Sequence, residues 1–204
     1  MVDVSVIIAV YNDERHIERA IRSCLWQTIA RGEHEVIVVD DGSTDATPRI
    51  LANFAYLLPN LVDRLKVITL SENRGIGAAS NEGIKAARGK YIVRVDSDDY
   101  INENMIFIQR MYLDMNKEMA AVAVDYYRVD EEEDIIDRKS SLELPIACGV
   151  MFRKTKLTEV GLYKEVRIDE EKELFFRFLD KYPTYRIALP LYRYYQRKGS
   201  LTRE

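Results

Sequence analysis

The sequence predicts an α/β fold in which a mostly parallel, Rossmann-like sheet is flanked by helices. Its 204 residues are enough for one such domain, and 47% of them are hydrophobic, which suffices for a sizeable core. The first hundred residues repeat the order strand, polar loop, helix, which indicates right-handed crossovers between parallel strands. We therefore expect a single domain, 1–204, in two halves, 1–100 and 101–204.

Four apolar runs supply the parallel strands of the first half. Val4–Val10 is continuously apolar apart from one serine, which is typical of a strand buried on both faces. Residues 36–39, 65–70 and 91–95 follow as further strands. Each run ends at polar residues, so each predicted strand leads into a polar loop.

The residues between these strands show the spacing of amphipathic helices or helix-capping signals, so a helix is predicted in each interval. Apolar residues recur on one face over 17–28. Thr47 is expected to cap a second helix that has Pro48 in its first turn. Residues 76–88 form a third predicted helix, which ends at Gly89.

The second half has a less regular pattern, and we expect a mixed sheet there. Helices are predicted over 102–115 and 169–179, strands over 120–125, 146–152, 186–189 and 192–195, and an acidic solvated turn at 131–134.

Charge and composition exclude several classes of protein. The formal net charge of −4 argues against a general nucleic-acid binder. Cys24 and Cys148 match no metal-binding spacing, which favours a reducing, cytoplasmic setting. We recognise neither a signal peptide nor an apolar run of 18 residues, so we expect no membrane span. Residues 192–198 mix aromatic and basic side chains and could touch a membrane surface peripherally, but a core strand followed by a ligand-contacting loop is the stronger interpretation.

Loops after the parallel strands are the expected binding region, because ligands of such sheets lie beyond the carboxyl ends of the strands. Three of the four loops carry clustered carboxylates or amides, and the loops are 11–13, 40–45, 72–77 and 96–99.

The motif Asp96-Ser97-Asp98-Asp99 places three carboxylates within four residues after a buried strand. Such carboxylates repel one another unless they are solvated or neutralised. Mg²⁺ or Mn²⁺ bound through one or two of them and through substrate phosphate would relieve that repulsion. A helix N-cap with an acidic first turn fits these residues equally well. A calcium loop does not fit, since Ile101 stands where that loop needs glycine.

Two further loops suit parts of a nucleotide. The carboxylates of Asp40-Asp41-Gly42-Ser43-Thr44-Asp45 could accept hydrogen bonds from a nucleobase imide or a ribose, although a turn with a helix cap explains them too. Asn73-Arg74-Gly75 puts a guanidinium beside a glycine-rich helix start, a combination that favours phosphate. Its likeness to a dinucleotide-binding loop is weak, since Ser80 replaces the last glycine.

Taken in order, these motifs resemble the inverting family-2 glycosyltransferases of GT-A fold. The resemblance is dense over residues 3–100 and looser over 145–202. It implies a nucleotide-binding half, 1–100, and an acceptor-binding half, 101–204. It also implies a nucleotide-sugar donor with UDP favoured, a glycan or lipid-linked acceptor, and Mn²⁺ or Mg²⁺ as cofactor.

The resemblance assigns roles residue by residue. For the nucleoside, Ala9 would lie at the strand end, Tyr11 and Asp13 would lie against the base, and Asp41 would bind the imide of the base. Asp96 and Ser97 would contact the ribose. Arg74 would help to hold the nucleotide, Asp98 would bind the metal ion and Arg197 would contact the diphosphate. In many relatives a histidine stands where this chain has Arg197, and arginine cannot replace it as a neutral metal ligand.

The expected catalytic base lies at the start of the 169–179 helix. Periodicity does not separate Glu170 from Glu171, because both border the buried stripe defined by Leu174 and Phe178. The resemblance implies Glu171 as the base and Glu170 as an acceptor contact, although relatives usually have Glu-Asp here. A non-catalytic carbohydrate-binding domain and a sugar nucleotidyltransferase are the rival functions.

Overall fold

A computed structural model describes residues 2–29, 33–57, 63–141, 146, 148–164 and 170–196, with the backbone alone at Ala55, at Leu57 and at 170–172. Within these ranges the strands are β1 (Val4–Val10), β2 (His34–Asp40), β3 (Leu65–Thr69), β4 (Tyr91–Arg94), β5 (Tyr100–Ile101), β6 (Ala121–Val129), β7 (Ile135–Lys139), β8 (Val150–Arg153) and β9 (Thr184–Tyr195). The helices are α1 (Ile17–Leu25), α2 (Thr47–Leu57), α3 (Ile76–Ala86), α4 (Met105–Met115), α5 (Lys154–Val160) and α6 (Glu170–Leu179).

One continuous sheet runs through both halves in the order β3-β2-β1-β4-β8-β6-β9-β5, and β7 pairs with β6. The first four strands are parallel, as the strand–loop–helix rhythm predicts. β8 is antiparallel to both β4 and β6, whereas β6 and β9 are parallel to each other. The predicted class, a mostly parallel sheet followed by a mixed second half, is confirmed.

The sheet separates two apolar cores, because alternate residues of each strand point to opposite faces. Val6 and Ile8 pack with α1, α2 and α4, whereas Ile7 packs on the other face with α3, α5 and α6. Burial of such a side chain contributes about 1.5–3 kcal/mol. These two layers hold the carboxyl ends of β1, β2 and β4 in fixed relative positions.

Several elements differ from the sequence prediction. Residues 184–195 form one long strand rather than two short ones, and its pairing with β6 shifts where Pro190 lies opposite Asp125. Proline lacks the N–H that the ladder needs, so the pairing is irregular at this point although the strand continues. The sequence did not predict β5, β7 or α5. The acidic turn at 131–134 is exposed to solvent, as predicted, and it lies between β6 and β7.

Thr47 is the first residue of α2 rather than its cap. Asp45, from the loop for which a helix cap was the alternative interpretation, accepts the N–H of Thr47 through Oδ1 at 2.9 Å. The Thr47 hydroxyl instead accepts the Asp13 N–H at 3.1 Å and so ties the first loop to this helix. Among the described helices, none has the length and apolar composition needed to cross a bilayer.

Candidate donor site

The loops after β1 and β2 are locked together through the amide of Asn12. Its Oδ1 accepts the N–H groups of Thr44 at 2.7 Å and Asp45 at 3.3 Å, and its own N–H donates to Ser43 Oγ at 2.9 Å. Asn12 takes a left-handed backbone conformation with φ of 50°, which asparagine tolerates better than most residues. The two loops therefore form one rigid wall at the carboxyl edge.

The carboxylate of Asp41 anchors the third loop. Its Oδ1 accepts the N–H of Arg74 at 2.9 Å and its Oδ2 accepts that of Gly75 at 2.8 Å. Burial raises the pKa of Asp41, and the two N–H donors oppose that rise only in part. Gly42 is required beside it, because a Cβ there would lie 2.8 Å from the backbone carbon of Glu72. A carboxylate has about four lone-pair sites, so Asp41 retains acceptor capacity for a ligand.

Asp13 connects the first loop to the fourth. Its buried carboxylate accepts the Ser97 hydroxyl at 2.7 Å through Oδ2 and lies 2.6 Å from His16 Nδ1 through Oδ1. Tyr11 beside it is 47% exposed, so its ring is accessible to a nucleobase, whereas Ala9 is buried at the strand end. Sequence reasoning missed His16, although its spacing of three from Asp13 was a signal.

The three acids of the fourth loop have unequal environments. Asp99 is buried, and it accepts the Tyr192 hydroxyl at 2.5 Å and the Tyr195 N–H at 2.7 Å. Burial, followed by the charges of Asp98 and Asp96, holds the pKa of Asp99 well above its usual value. Asp99 therefore anchors the loop to β9, while Asp96 and Asp98 are only half-buried.

Arg94 lies beneath Asp96, and sequence reasoning missed it. Its Nη2 is 2.7 Å from Asp96 Oδ1 and 3.1 Å from Cys148 Sγ, and the guanidinium is almost fully buried. A charged residue in the otherwise apolar run 91–95 was the available signal. The arginine holds the carboxylate of Asp96 at the edge of the sheet.

Four loops, each carrying acidic or amide side chains, therefore meet at one edge of the parallel sheet. The sequence profile described as Glycosyl transferase family 2 matches residues 5–181. The chain belongs to glycosyl transferase family 2. This confirms the resemblance that the ordered motifs suggest.

Curated relatives of this family-2 chain include proteins of polysaccharide synthesis. It is 30% identical to the minor teichoic acid biosynthesis protein GgaA of Bacillus subtilis over 95% of the chain and 47% of GgaA. It is 42% identical to the succinoglycan biosynthesis protein ExoO of Rhizobium meliloti over 60% of the chain and 32% of ExoO. The chain thus spans about half or less of these two relatives.

Solved structures share the fold. A crystal structure of S. aureus TarS 1–349 in complex with UDP-GlcNAc superposes with a TM-score of 0.82 at 24% identity, covering 97% of this chain and 60% of that one. A mannosyltransferase, PcManGT of Pyrobaculum calidifontis, in complex with GDP-Man and Mn²⁺, gives a TM-score of 0.74 at 19% identity, covering 93% and 56%. These similarities establish the GT-A architecture.

Some predicted site residues of this family-2 chain lie outside the described part. Arg197 is among them, and so are the side chains of Glu170 and Glu171, whose backbones begin α6. The buried stripe behind them is as expected, because Leu174 and Phe178 are buried. Arg74 is described, with an exposed side chain.

A metal site can be assessed from the acidic and thiol groups that the structure describes. Ligand atoms of Asp96, Asp99 and Cys148 lie within 4.8 Å of one another. This group is a poor match for Mg²⁺ or Mn²⁺, since Arg94 already contacts two of its members and a thiol is a soft ligand. Asp98 stands outside the group, and its half-buried carboxylate is near enough to raise the pKa of Asp99. One carboxylate completed by water and diphosphate oxygens is a usual arrangement for these ions, so Asp98 fits the role.

Proposed function

We propose that the chain is an inverting, metal-dependent glycosyltransferase that moves a sugar from a UDP-sugar to a hydroxyl of a glycan or lipid-linked acceptor. The observation that carries the proposal is the meeting of four loops around Asp41, Asp13 and Asp96 at one sheet edge. Relatives of the same fold support it, because TarS has been crystallised with UDP and with UDP-GlcNAc.

The donor pocket binds the nucleotide through groups already held in place. Tyr11 stacks on the uracil, and the remaining acceptor capacity of Asp41 takes the imide N–H. Asp96 and Ser97 accept or donate hydrogen bonds at the ribose, and their positions are fixed by Arg94 and Asp13 respectively. Arg74 and Arg197 contact the phosphates, where guanidinium groups bind well.

Asp98 would hold the metal ion. A bound Mn²⁺ or Mg²⁺ would supply Lewis-acid stabilisation of the charge on the departing diphosphate. Burial is the main cause of the raised pKa of Asp99, and the charges of Asp98 and Asp96 raise it further; that repulsion between neighbouring carboxylates is a reason for this loop to favour a cation.

The transfer step requires a base on the acceptor side. Glu171 at the start of α6 removes the proton of the acceptor hydroxyl, with Glu170 contacting the acceptor. The hydroxyl oxygen attacks the anomeric carbon from the face opposite the diphosphate. The bond from that carbon to the diphosphate oxygen breaks, UDP leaves with the electron pair, and the anomeric configuration inverts.

Acceptors of the named relatives suggest a polysaccharide. GgaA is a teichoic acid biosynthesis protein, ExoO serves succinoglycan biosynthesis, and TarS is a poly(ribitol-phosphate) β-N-acetylglucosaminyltransferase. A cell-surface polysaccharide under assembly is therefore the proposed acceptor class. Tyr192 and Tyr195 are buried in β9, which favours a core strand over a membrane-contacting surface for that part of 192–198.

A donor panel tests this proposal. UDP-, dTDP- and GDP-sugars are incubated with the full chain, with Mn²⁺ or Mg²⁺ and then with EDTA, and the released nucleotide is identified. We expect UDP release that EDTA stops and that Asp98→Asn abolishes, while the exposed Asp63→Asn control keeps full activity. Pyrophosphate release from UTP and a sugar 1-phosphate in a parallel assay would indicate a nucleotidyltransferase, and UDP-sugar binding without turnover would indicate a binding domain.

A further inference from the structure

Strand register places four side chains of alternating chemistry in one row across the acceptor half. Tyr100 of β5 lies opposite Arg193 of β9, Arg193 lies opposite Tyr127 of β6, and Tyr127 lies opposite Arg138 of β7. Residues opposite one another in adjacent strands project from the same face of a sheet. We call this set the arginine–tyrosine row, and at the usual strand spacing it is about 14 Å long.

Contacts within the row agree with the register. The guanidinium carbon of Arg193 lies 4.6 Å from the centroid of the Tyr127 ring. Burial and then the charge of Glu133, which pairs with Arg19, raise the pKa of Tyr100, and the charges of Arg19 and Arg193 oppose that rise. All four side chains are at least partly accessible to solvent. The row is thus an accessible strip of rings and guanidinium groups, separate from the apolar cores.

The charges along this strip are not balanced. Arg193 donates to the carbonyl oxygens of Pro190 at 2.8 Å and Tyr192 at 3.4 Å, and no carboxylate of the described residues forms an ion pair with it. Arg138 shares the single buried carboxylate of Asp125 with Arg186, so two guanidinium groups face one acid. The row therefore carries a positive surplus on a chain whose formal net charge is −4.

One end of the row touches the donor site. Tyr100 directly follows Asp99, and the Arg19 guanidinium lies 4.5 Å from the Tyr100 ring centroid. The same arginine donates from Nη2 to the backbone carbonyl of Asp98 at 2.7 Å. A ligand lying along the row would thus reach the loop that carries the predicted metal ligand.

We propose that the arginine–tyrosine row binds an anionic glycan acceptor, whose sugar rings pack on Tyr100 and Tyr127 and whose phosphate or carboxylate groups pair with Arg193 and Arg138. Guanidinium groups bind both kinds of anion through paired hydrogen bonds. The inference rests on the proposed function, since it names the acceptor class of that same transfer. Single-stranded nucleic acid also stacks on tyrosines beside arginines, so an oligonucleotide is included among the probes as a competing ligand.

Calorimetry on the full chain tests the inference in the absence of donor. The probes are poly(ribitol phosphate), unsulfated chondroitin, neutral dextran and a single-stranded oligonucleotide. We expect binding of an anionic glycan that weakens with added salt, and little binding of dextran. Binding of poly(ribitol phosphate) alone would identify phosphate as the recognised group, and binding of chondroitin alone would identify carboxylate.

Variants locate the binding. Arg193→Gln should weaken glycan affinity about tenfold or more, and Arg193→Lys should weaken it less, because the charge remains while the planar fork is lost. Tyr127→Leu and Arg138→Gln should each weaken it as well. Lys66→Gln removes an exposed charge from β3 at the opposite end of the sheet and should change nothing.

Melting temperature and UDP affinity show whether each variant is folded. If Arg193→Gln does not fold, the glycan affinity of Tyr127→Leu or Arg138→Gln is the measurement that tests the row. The inference is overturned if folded variants bind the glycan like wild type, if dextran or the oligonucleotide binds as tightly, or if no anionic glycan binds. If the wild-type chain turns over no UDP-sugar in the donor panel, the proposed function is overturned instead. A failure of the inference can therefore be distinguished from a failure of the proposed function.

Discussion

The two halves of the molecule hold their carboxylates in different ways. Two donor-loop acids bind backbone N–H groups: Asp41 accepts from Arg74 and Gly75, and Asp45 accepts from Glu14 and Thr47. In the acceptor half, three carboxylates pair with arginine side chains. Asp125 lies 2.7 Å from both Arg138 and Arg186. Asp137 lies 2.7 Å from Arg128, and Glu173 lies 2.8 Å from Arg177.

Backbone geometry explains this contrast. Parallel strands end in loops whose N–H groups have no ladder partner, and buried N–H groups need an acceptor, so carboxylates there satisfy the main chain. Within the β6–β7 ladder the backbone groups are paired, so Asp125 and Asp137 on these strands meet arginine side chains, whereas Asp130 in the connecting turn again accepts backbone N–H groups. Asp41 and Asp45 therefore bind the main chain rather than a cationic side chain, whereas Asp96 of the same sheet edge is paired with Arg94. In the acceptor half Asp125 and Asp137 pair with arginines, and Arg193 forms no ion pair with a described carboxylate.

The largest expected effect comes from replacing the proposed base Glu171, which should slow the transfer step without weakening UDP binding in the donor half. Glu171→Gln should lower turnover by about 10²- to 10⁴-fold, the range for losing a general base, with UDP affinity nearly unchanged. Steady-state rates and calorimetry with UDP measure the two quantities. Glu170→Gln is the matched control. A dead Glu170→Gln beside an active Glu171→Gln would shift the assignment by one residue, and two active variants would place the base elsewhere.

Asp41→Ala tests the role of a carboxylate that binds the backbone. We expect UDP affinity to fall by about 1.5–3 kcal/mol, since a charged hydrogen bond to the base is lost. The melting temperature should fall too, because two N–H groups of the third loop lose their acceptor. Arg74→Ala is the control for stability, as it leaves the backbone donor in place. Equal destabilisation by Arg74→Ala would show that the arginine side chain holds this loop.

Asp125 tests the opposite arrangement. Asp125→Asn should destabilise the fold by about 1–2 kcal/mol in urea unfolding, a modest cost because Arg138 and Arg186 are 44% and 37% exposed and solvent screens the pairs. Arg186→Gln should reproduce part of the loss, because here the partner is a side chain. If Arg186→Gln unfolds in urea like wild type, the arginine side chain does not stabilise Asp125, and the contrast between the two halves is contradicted.

Glu173 gives the smallest effect and a pH dependence of known sign. The hydrogen bond from Arg177, opposed by desolvation and helped by Lys164, lowers the pKa of Glu173 from 4.5 to about 2. A carboxyl group whose pKa is lower in the folded state stabilises the fold at pH values above its unfolded-state pKa. That stabilisation disappears as the pH falls from 4.5 to about 2. Because the pair is partly exposed, Glu173→Gln should cost under about 1 kcal/mol at neutral pH. Urea midpoints of the two proteins should converge in acid, and a constant gap would contradict the assignment.

Much of the site was predictable from sequence because its loops follow directly on buried strands. Alternating or continuous apolar runs located β1 to β4, and the carboxyl-end rule placed Tyr11, Asp41 and Asp96 at one edge. The separation of Asp99 from Asp96 and Asp98 was not predictable, since it depends on the hydroxyl of Tyr192, 93 residues away. The anchoring of the third loop by Asp41 likewise depends on a contact that spans 33 residues.

The sequence by itself determined the α/β class, the family and the order of the donor motifs, because these reside in local periodicity and in short contiguous patterns. Only the tertiary structure decided which acid of the fourth loop is buried and anchors it and which two stay half-buried, because neighbouring carboxylates in one loop differ in their distant partners. It also decided the arginine–tyrosine row. Tyr100, Tyr127, Arg138 and Arg193 share no periodic pattern along the chain, and they meet because strand pairing sets their register.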